Sequence, residues 1–294
     1  MIQKAFKRVI RRVIRVARDW MREEPVDENY DRDAYAYPYL NSILRKVVRA
    51  VQARPDYAWG VVQGAHLAKA IGSDSISVIE FGVAGGTGLI ALERIAEQVE
   101  RHMGMHIDVF GFDTGSGLPK PRDHRDLPNL YFEGAYPMDH EKLRPRLQRA
   151  QLILGLVNET LPQFMQSTTS PVAFVAFDLD LYSSTMDALK LLDGDVRYLL
   201  PRIHCYFDDI IGFTFGDCNG ELLAVADFNA SHPMRKISRL YGLRHFVPNE
   251  FADHPWTEKF FLAHLFDHPA YGVNDGLVRR ASIGIDEDIL QRIR

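Results

Sequence analysis

Two short acidic pairs, Asp178-Leu179-Asp180 and Asp208-Asp209, each follow an apolar run. Phe174-Val175-Ala176-Phe177 precedes the first and His204-Cys205-Tyr206-Phe207 the second, and such runs read as buried strands. If the two strands are parallel neighbours, four carboxylates meet at one sheet edge and repel unless protons or a cation hold them. Donors that are all oxygen select a hard divalent ion, Mg²⁺ foremost. The plain alternative is that the carboxylates cap helix N-termini without metal, which accounts for one pair better than for two. Ser183 and Ser184 are further candidates to cap the helix carrying Met186, Ala188, Leu189 and Leu192.

A second constellation is Glu80-Phe81-Gly82-Val83-Ala84-Gly85-Gly86-Thr87-Gly88. Before it, Ile76, Val78 and Ile79 suit a central parallel strand; after it, Leu89, Ile90, Leu92, Ile95, Ala96 and Val99 recur at helical spacing. Glycines between a strand and a helix let a ligand approach the backbone, next to N–H groups that the helix leaves unpaired. That is the build of a nucleotide or nucleoside site at the carboxyl end of a parallel strand. The dinucleotide pattern G-x-G-x-x-G fails from Gly82, where Ala84 and Thr87 hold the glycine positions. Gly86-Thr87-Gly88-Leu89-Ile90-Ala91 fits G-x-G-x-x-A, but several residues past the strand, inside the expected helix. No lysine lies between Lys69 and Lys120, which excludes a P-loop. The next apolar strand, Ile107 to Asp113, ends in a carboxylate placed to accept from ribose hydroxyls; a solvated strand-end Asp is the alternative.

These groups need a scaffold, and the chain is long enough to supply it. At 294 residues it buries a large core in one decorated domain, or at most two. Hydrophobic content of 46% and charged content of 25% are ordinary for a soluble globular protein. A net charge of −4 argues against a general nucleic-acid binder. The only cysteines, Cys205 and Cys218, lack paired-ligand spacing; that excludes a disulfide framework or zinc site and favours a reducing, cytoplasmic compartment.

The first 22 residues depart from this average, with eight cations against Asp19, a local net of +7 (8 − 1). Ile2, Phe6, Val9, Ile10, Val13, Ala17, Trp20 and Met21 share one helical face. Such a basic amphipathic helix suits an anionic membrane surface, here the inner face, or docks on its own protein or a second copy. It is too short of apolar residues to span a bilayer. A tyrosine-rich linker and two helices, around Ile43–Val51 and Trp59–Ile71, fill the stretch to residue 72. The domain proper is expected over 73–294. From Thr114 to about Met138 the pattern is irregular, as in a loop or lid over a ligand. Gln151 to Val157 reads as a third strand and Glu159 to Phe164 as its helix.

Taken in order, Glu80-Phe81-Gly82, Gly111-Phe112-Asp113 with Gly117-Leu118-Pro119, Gly155 with Thr160-Leu161-Pro162, Asp178-x-Asp180-Leu181-Tyr182-Ser183-Ser184-Thr185 and Asp208-Asp209 resemble the macrocin O-methyltransferase family. The resemblance spans roughly residues 78 to 228. It implies a doubly wound α/β fold, with a mostly parallel seven-stranded sheet and flanking helices, preceded by a helical extension that often closes over the cofactor. It implies S-adenosylmethionine (SAM) held around Glu80, Gly82, Gly86 and Asp113, and Mg²⁺ held by Asp178, Asp208 and Asp209. The reaction it implies is methylation of a sugar hydroxyl or similar vicinal diol; for the proton, a nearby carboxylate, Asp178 by preference, receives it or hands it to water. Leu179 stands where the family has glycine, and the interval from Asp178 to Asp208 is longer than usual; both bear on substrate identity. The acceptor expected is a glycan or small molecule.

Two other classes stay open at this stage. A nicotinamide-dependent oxidoreductase or epimerase of nucleotide sugars would use the Gly86 pattern, but no Tyr-x-x-x-Lys pair accompanies it. A non-catalytic partner subunit would keep the fold and bind through the basic helix.

Overall fold

The computed structural model describes residues 37–274. The basic segment 1–22, the connector up to residue 36 and residues 275–294 lie outside the described residues. Seven strands form one sheet in the order β3-β2-β1-β4-β5-β7-β6. They are β1 (Ser75–Phe81), β2 (His106–Asp113), β3 (Gln151–Leu154), β4 (Val172–Phe177), β5 (Leu199–Phe207), β6 (Arg235–Arg239) and β7 (Phe260–Leu265). The pairs β3/β2, β2/β1, β1/β4 and β4/β5 are parallel, and β7 runs antiparallel to both β5 and β6. The strand order reverses between β1 and β4, which is where a doubly wound sheet opens a crevice for ligand.

Helix α1 (Tyr37–Val51), α2 (Pro55–Ala70) and α3 (Thr87–Met103) pack together, and α2 lies along β1, β4 and β5. Added Cβ atoms at Gly60 and Gly64 would overlap Phe174 and Ala173, so these glycines let α2 lie flat on β4. The helix expected to close over the cofactor is therefore a layer of the sandwich, and only its N-terminal end reaches the site. Along β2, Gly111 faces Leu89 of α3 while Phe110 and Phe112 face Phe164 of another helix. Alternation along a strand thus puts α3 and the later helices on opposite faces.

A row of phenylalanines crosses the sheet beneath the ligand edge. Phe112, Phe81, Phe177 and Phe207 are register partners in turn, with ring centroids 4.8, 5.7 and 4.6 Å apart. All four are fully buried. Each is followed at once by a residue singled out in the sequence: Asp113, Gly82, Asp178 and Asp208. The ladder continues one step past the rings, with Gly82 N donating to Phe112 O, Asp178 N to Phe81 O and Asp208 N to Phe177 O, each at 2.9 Å. Dispersion and burial fix the row, and the row fixes the height of the site.

The remaining helices are the short α4 (His140–Leu143), then α5 (Val157–Ser167), α6 (Tyr182–Leu189) and α7 (Gly220–Ser231). The third strand is shorter than its apolar run: Gly155 turns at φ 135 and α5 begins at Val157. The C-terminal run Phe260–Leu265 is the strand β7, wedged between β5 and β6.

Candidate functional site

One cavity of about 620 Å³ opens at the strand-order reversal, a size typical of small-molecule sites. Glu80, Gly82, Gly86, Asp113, Asp178 and Asp209 all line it, as do Arg54 and Asp180. Asp208 does not. Six of the seven expected site residues are therefore brought together, and one is turned elsewhere.

The glycine turn is built by close approach. Gly82 has φ +87 and a Cβ there would overlap the carbonyl oxygen of Asp178, so β1 and β4 can meet only at a glycine. Gly86 caps α3 in the left-handed region, at φ +80. The Gly86-Thr87-Gly88 pattern thus sits at the helix start, and Gly88 faces the Glu80 carboxyl, where any Cβ would collide.

Asp113 is committed to this turn. Its Oδ2 accepts from Val83 N (2.9 Å) and Ala84 N (2.8 Å), and its Oδ1 from Gly115 N (2.6 Å). The expectation for Asp113 was a pair of ribose hydroxyls; in this structure its carboxylate braces the backbone on both sides of the cavity. The physical reason is that a turn at positive φ exposes N–H groups that need an acceptor.

Glu80 is 2% exposed and receives the Tyr57 hydroxyl at Oε1, 2.8 Å away. Its Oε2 is buried with no partner. Burial, with Asp113 and Asp56 nearby, pushes its carboxyl up to about 8 despite the Tyr57 bond and the Arg54 charge. An orphaned buried oxygen on the wall of a cavity is a place for a ligand donor.

The acidic pairs are arranged differently from the expected trio. Asp208 accepts from Lys259 Nζ (2.5 Å) and Tyr206 Oη (2.9 Å), both at Oδ1. Burial works against its charge, but the Lys259 ammonium holds the carboxyl below its ordinary value. Asp209 instead accepts from Tyr131 Oη (3.4 Å) and Asp180 N (3.2 Å). Consecutive residues at a strand end leave on opposite sides, which separates the Asp-Asp pair. Asp180 sits at φ 62 and lines the cavity. Burial followed by neighbouring carboxylates pushes Asp209 up to about 7 and Asp180 up to about 6. Asp178 is raised well above its ordinary value by burial and then by Asp208, Asp209, Glu80 and Asp180. No described group donates a hydrogen bond to its side chain. Among the described residues no three His, Cys, Asp or Glu side chains converge to hold an ion.

The helix-capping role falls to neither serine. The N-cap of α6 is Leu181, with no side-chain cap bond. Asp126, 1% exposed, reaches in from the irregular segment instead and accepts from Ser183 N (2.7 Å) and Ser183 Oγ (2.9 Å). It also accepts from Arg122 N at 2.7 Å, so the segment expected as a lid is pinned to α6. Leu127, Tyr131 and Leu181 form a small apolar cluster there. His204, near the carboxylates in sequence, packs edge-on against Trp59, does not line the cavity, and is pushed down to about 3 by burial.

Sequence reasoning missed Arg54, Tyr57, Asp126, Tyr131 and Lys259. Only Arg54-Pro55 left a trace, since proline favours the first turn of a helix. The others reach the site through folding alone.

No protein-family profile matches this chain, and no curated protein matches it. Solved structures do. CalS11, a calicheamicin methyltransferase, is 18% identical over 77% of this chain and 93% of its own, with a TM-score of 0.48. The O-methyltransferase NovP is 18% identical over 64% and 70%, with a TM-score of 0.41. TomG from Streptomyces achromogenes, an O-methyltransferase of tomaymycin synthesis seen with SAM, is 14% identical over 78% and 95%, with a TM-score of 0.40. At these identities the likeness assigns no activity.

Proposed function

We propose that this chain is a SAM-dependent O-methyltransferase acting on a hydroxyl of a sugar or similar vicinal diol. The observation that carries the reading is that one cavity has two chemically distinct halves. A glycine turn with an orphaned buried carboxyl oxygen forms one half, and the carboxyls of Asp178, Asp180 and Asp209 form the other. The first half suits a nucleoside with a cationic group; the second suits an acceptor that must lose a proton.

SAM fits the first half. Gly82 and Gly86 would let it lie against the backbone, and Glu80 Oε2 offers an acceptor for its ammonium. Bound there, SAM supplies a methyl group activated by a sulfonium. The chain's own part is to seat the two reactants within reach of each other, which accounts for most of the acceleration in such transfers. The Asp178 carboxylate would take the hydroxyl proton of an acceptor seated in the second half. Crowding and burial raise the proton affinity of Asp178, which moves a carboxylate toward the range of a useful base.

For a divalent cation the three cavity carboxyls are suitable only in donor type, all oxygen: among the described residues no three converge on one point, and Asp208 is held on Lys259. A Mg²⁺ held there would need Asp178, Asp180 and Asp209 to draw together, and it would supply positive charge beside the acceptor's oxygen. Among the described residues no helix is long and apolar enough to cross a membrane. The inner-face membrane contact and self-association proposed for residues 1–22 rest on sequence alone.

The test is incubation of the full chain with methyl-labelled SAM and a panel of sugar glycosides and catechols, followed by mass spectrometry. Transfer of one labelled methyl to an oxygen is expected. Saturable binding of NAD with none of SAM by calorimetry would overturn the reading in favour of an oxidoreductase.

A further inference from the structure

The acceptor half of the cavity is short of hydrogen-bond donors. Asp178, Asp180 and Asp209 line it, and all three are partly exposed. Among the described residues, one hydroxyl and one backbone N–H serve all three carboxyls. The Tyr131 hydroxyl lies 3.4 Å from Asp209 Oδ1 and also reaches the Asp180 carboxyl, yet it has a single proton to give. The N–H of Asp180 reaches Asp209 Oδ2 at 3.2 Å, and Asp178, deep in the wall, accepts from no described group. The cations nearby are engaged elsewhere: Lys259 on Asp208, Arg54 on Asp56 and Arg122 on Asp187.

An aromatic side chain completes this half. Tyr136 lines the same cavity, is 59% exposed and stands at φ 59, in the left-handed region that side chains rarely adopt. Burial and then the charges of Asp180, Asp209 and Asp178 hold its hydroxyl proton more tightly than usual, which puts it within reach of all three carboxyls. Carboxylates beside an exposed aromatic ring are suited to an organic ammonium, through charge-assisted hydrogen bonds and attraction to the ring face. A small metal ion needs oxygens that converge at about 2.1 Å, and no three described side chains do so. An ammonium has three N–H groups pointing apart and reaches oxygens about 2.8 Å away, so it suits carboxyls that are spread. An acceptor carrying a carboxylate or phosphate at this place would add repulsion instead.

We propose that the acceptor is an amino sugar, its ammonium held on Asp180 and Asp209 against Tyr136 and its neighbouring hydroxyl at Asp178. The proposal rests on the SAM reading and names the substrate class within it. It divides the work among the carboxyls. Two neutralise the amine and orient the sugar, and the third is left free for the hydroxyl proton. A vicinal amino alcohol spans both tasks, because its nitrogen and oxygen stand on adjacent carbons. Held as an ammonium, the nitrogen has no lone pair to offer, so the methyl is directed to oxygen.

The experiment is calorimetry on the full chain, in excess chelator and with saturating S-adenosylhomocysteine, the demethylated cofactor. The probes are the methyl glycosides of glucosamine, galactosamine and mannosamine, each against its N-acetyl form, which keeps the hydroxyls and loses the charge. At least one amine is expected to bind about 10- to 100-fold more tightly than its N-acetyl form, the scale of hydrogen bonds to a charged group. Asp180→Asn and Tyr136→Leu are each expected to reduce that preference and to leave the affinity for S-adenosylhomocysteine unchanged. The tyrosine variant decides the matter if the aspartate variant does not fold. Equal affinity within every pair, no binding by any amine, a preference untouched by the substitutions, or one that appears only when Mg²⁺ replaces the chelator, would sink the amino-sugar assignment and leave the SAM reading standing. Wild type that binds no S-adenosylhomocysteine would overturn both.

Discussion

Replacing Glu80 by Gln should flatten the pH dependence of stability and weaken ligand binding. In the folded chain Glu80 has its carboxyl raised from an ordinary 4.5 to about 8 by burial. Between those values the unfolded chain has released the proton while the folded chain keeps it. The folded state then binds more protons, so stability falls as pH rises through this window and levels off above it. The window is roughly three and a half pH units at about 1.4 kcal/mol each, so ionisable Glu80 lowers stability by at most ~4–5 kcal/mol near pH 8. Gln removes that slope. Its amide leaves a buried N–H unpaired where Oε2 stood, a cost of about 1–3 kcal/mol that shifts the curve without tilting it. The Tyr57 hydroxyl can still donate to the amide oxygen.

The assay is urea unfolding of wild type and Glu80→Gln at intervals from pH 5 to 8. Asp180, Asp209 and Glu221, all raised in the same sense, are common to both curves and drop out of the difference, whereas Asp178 loses the part of its rise that Glu80 contributes. The variant should gain on wild type by about 1 kcal/mol per pH unit, and it should lose affinity for S-adenosylhomocysteine. Parallel curves across that range would refute the reasoning, because they would mean that Glu80 ionises in the folded state as it does in the unfolded one.

Gly82→Ala should be costly, because the added methyl meets the Asp178 carbonyl at a φ that alanine resists; about 2–4 kcal/mol is expected in denaturant midpoint analysis. Asp126→Ala removes the acceptor for Ser183 and Arg122, and should cost about 1–3 kcal/mol while making the 114–138 segment a preferred cleavage site in limited proteolysis. If the cavity carboxyls hold a cation, excess chelator should abolish turnover and Mg²⁺ restore it, with binding of S-adenosylhomocysteine unaffected; undiminished turnover in chelator would remove the metal from the proposal.

What the sequence determined by itself was local. The apolar runs ending in Glu80-Phe81-Gly82, Phe112-Asp113, Phe177-Asp178 and Phe207-Asp208 are four parallel strands, because apolar β-rich runs have little alternative in a chain of this length. Their junction residues had to face one edge, since parallel strands present the same end together. Only the tertiary structure decided what each carboxylate meets. Asp208 and Asp209 are adjacent in sequence yet diverge, because alternation sends one toward Lys259 and the other toward Tyr131. Lys259 stands 51 positions later, just before β7, and no local pattern ties it to Asp208. Asp126 caps a helix 57 residues away, which two nearby serines appeared equally suited to do in sequence. Arg54 gains its place from a strained turn before α2 and from α2 lying flat on β4, a fit that depends on Gly60 and Gly64. Periodicity reports which face of an element is buried; partners brought from distant elements are fixed by packing, and packing is read only in three dimensions.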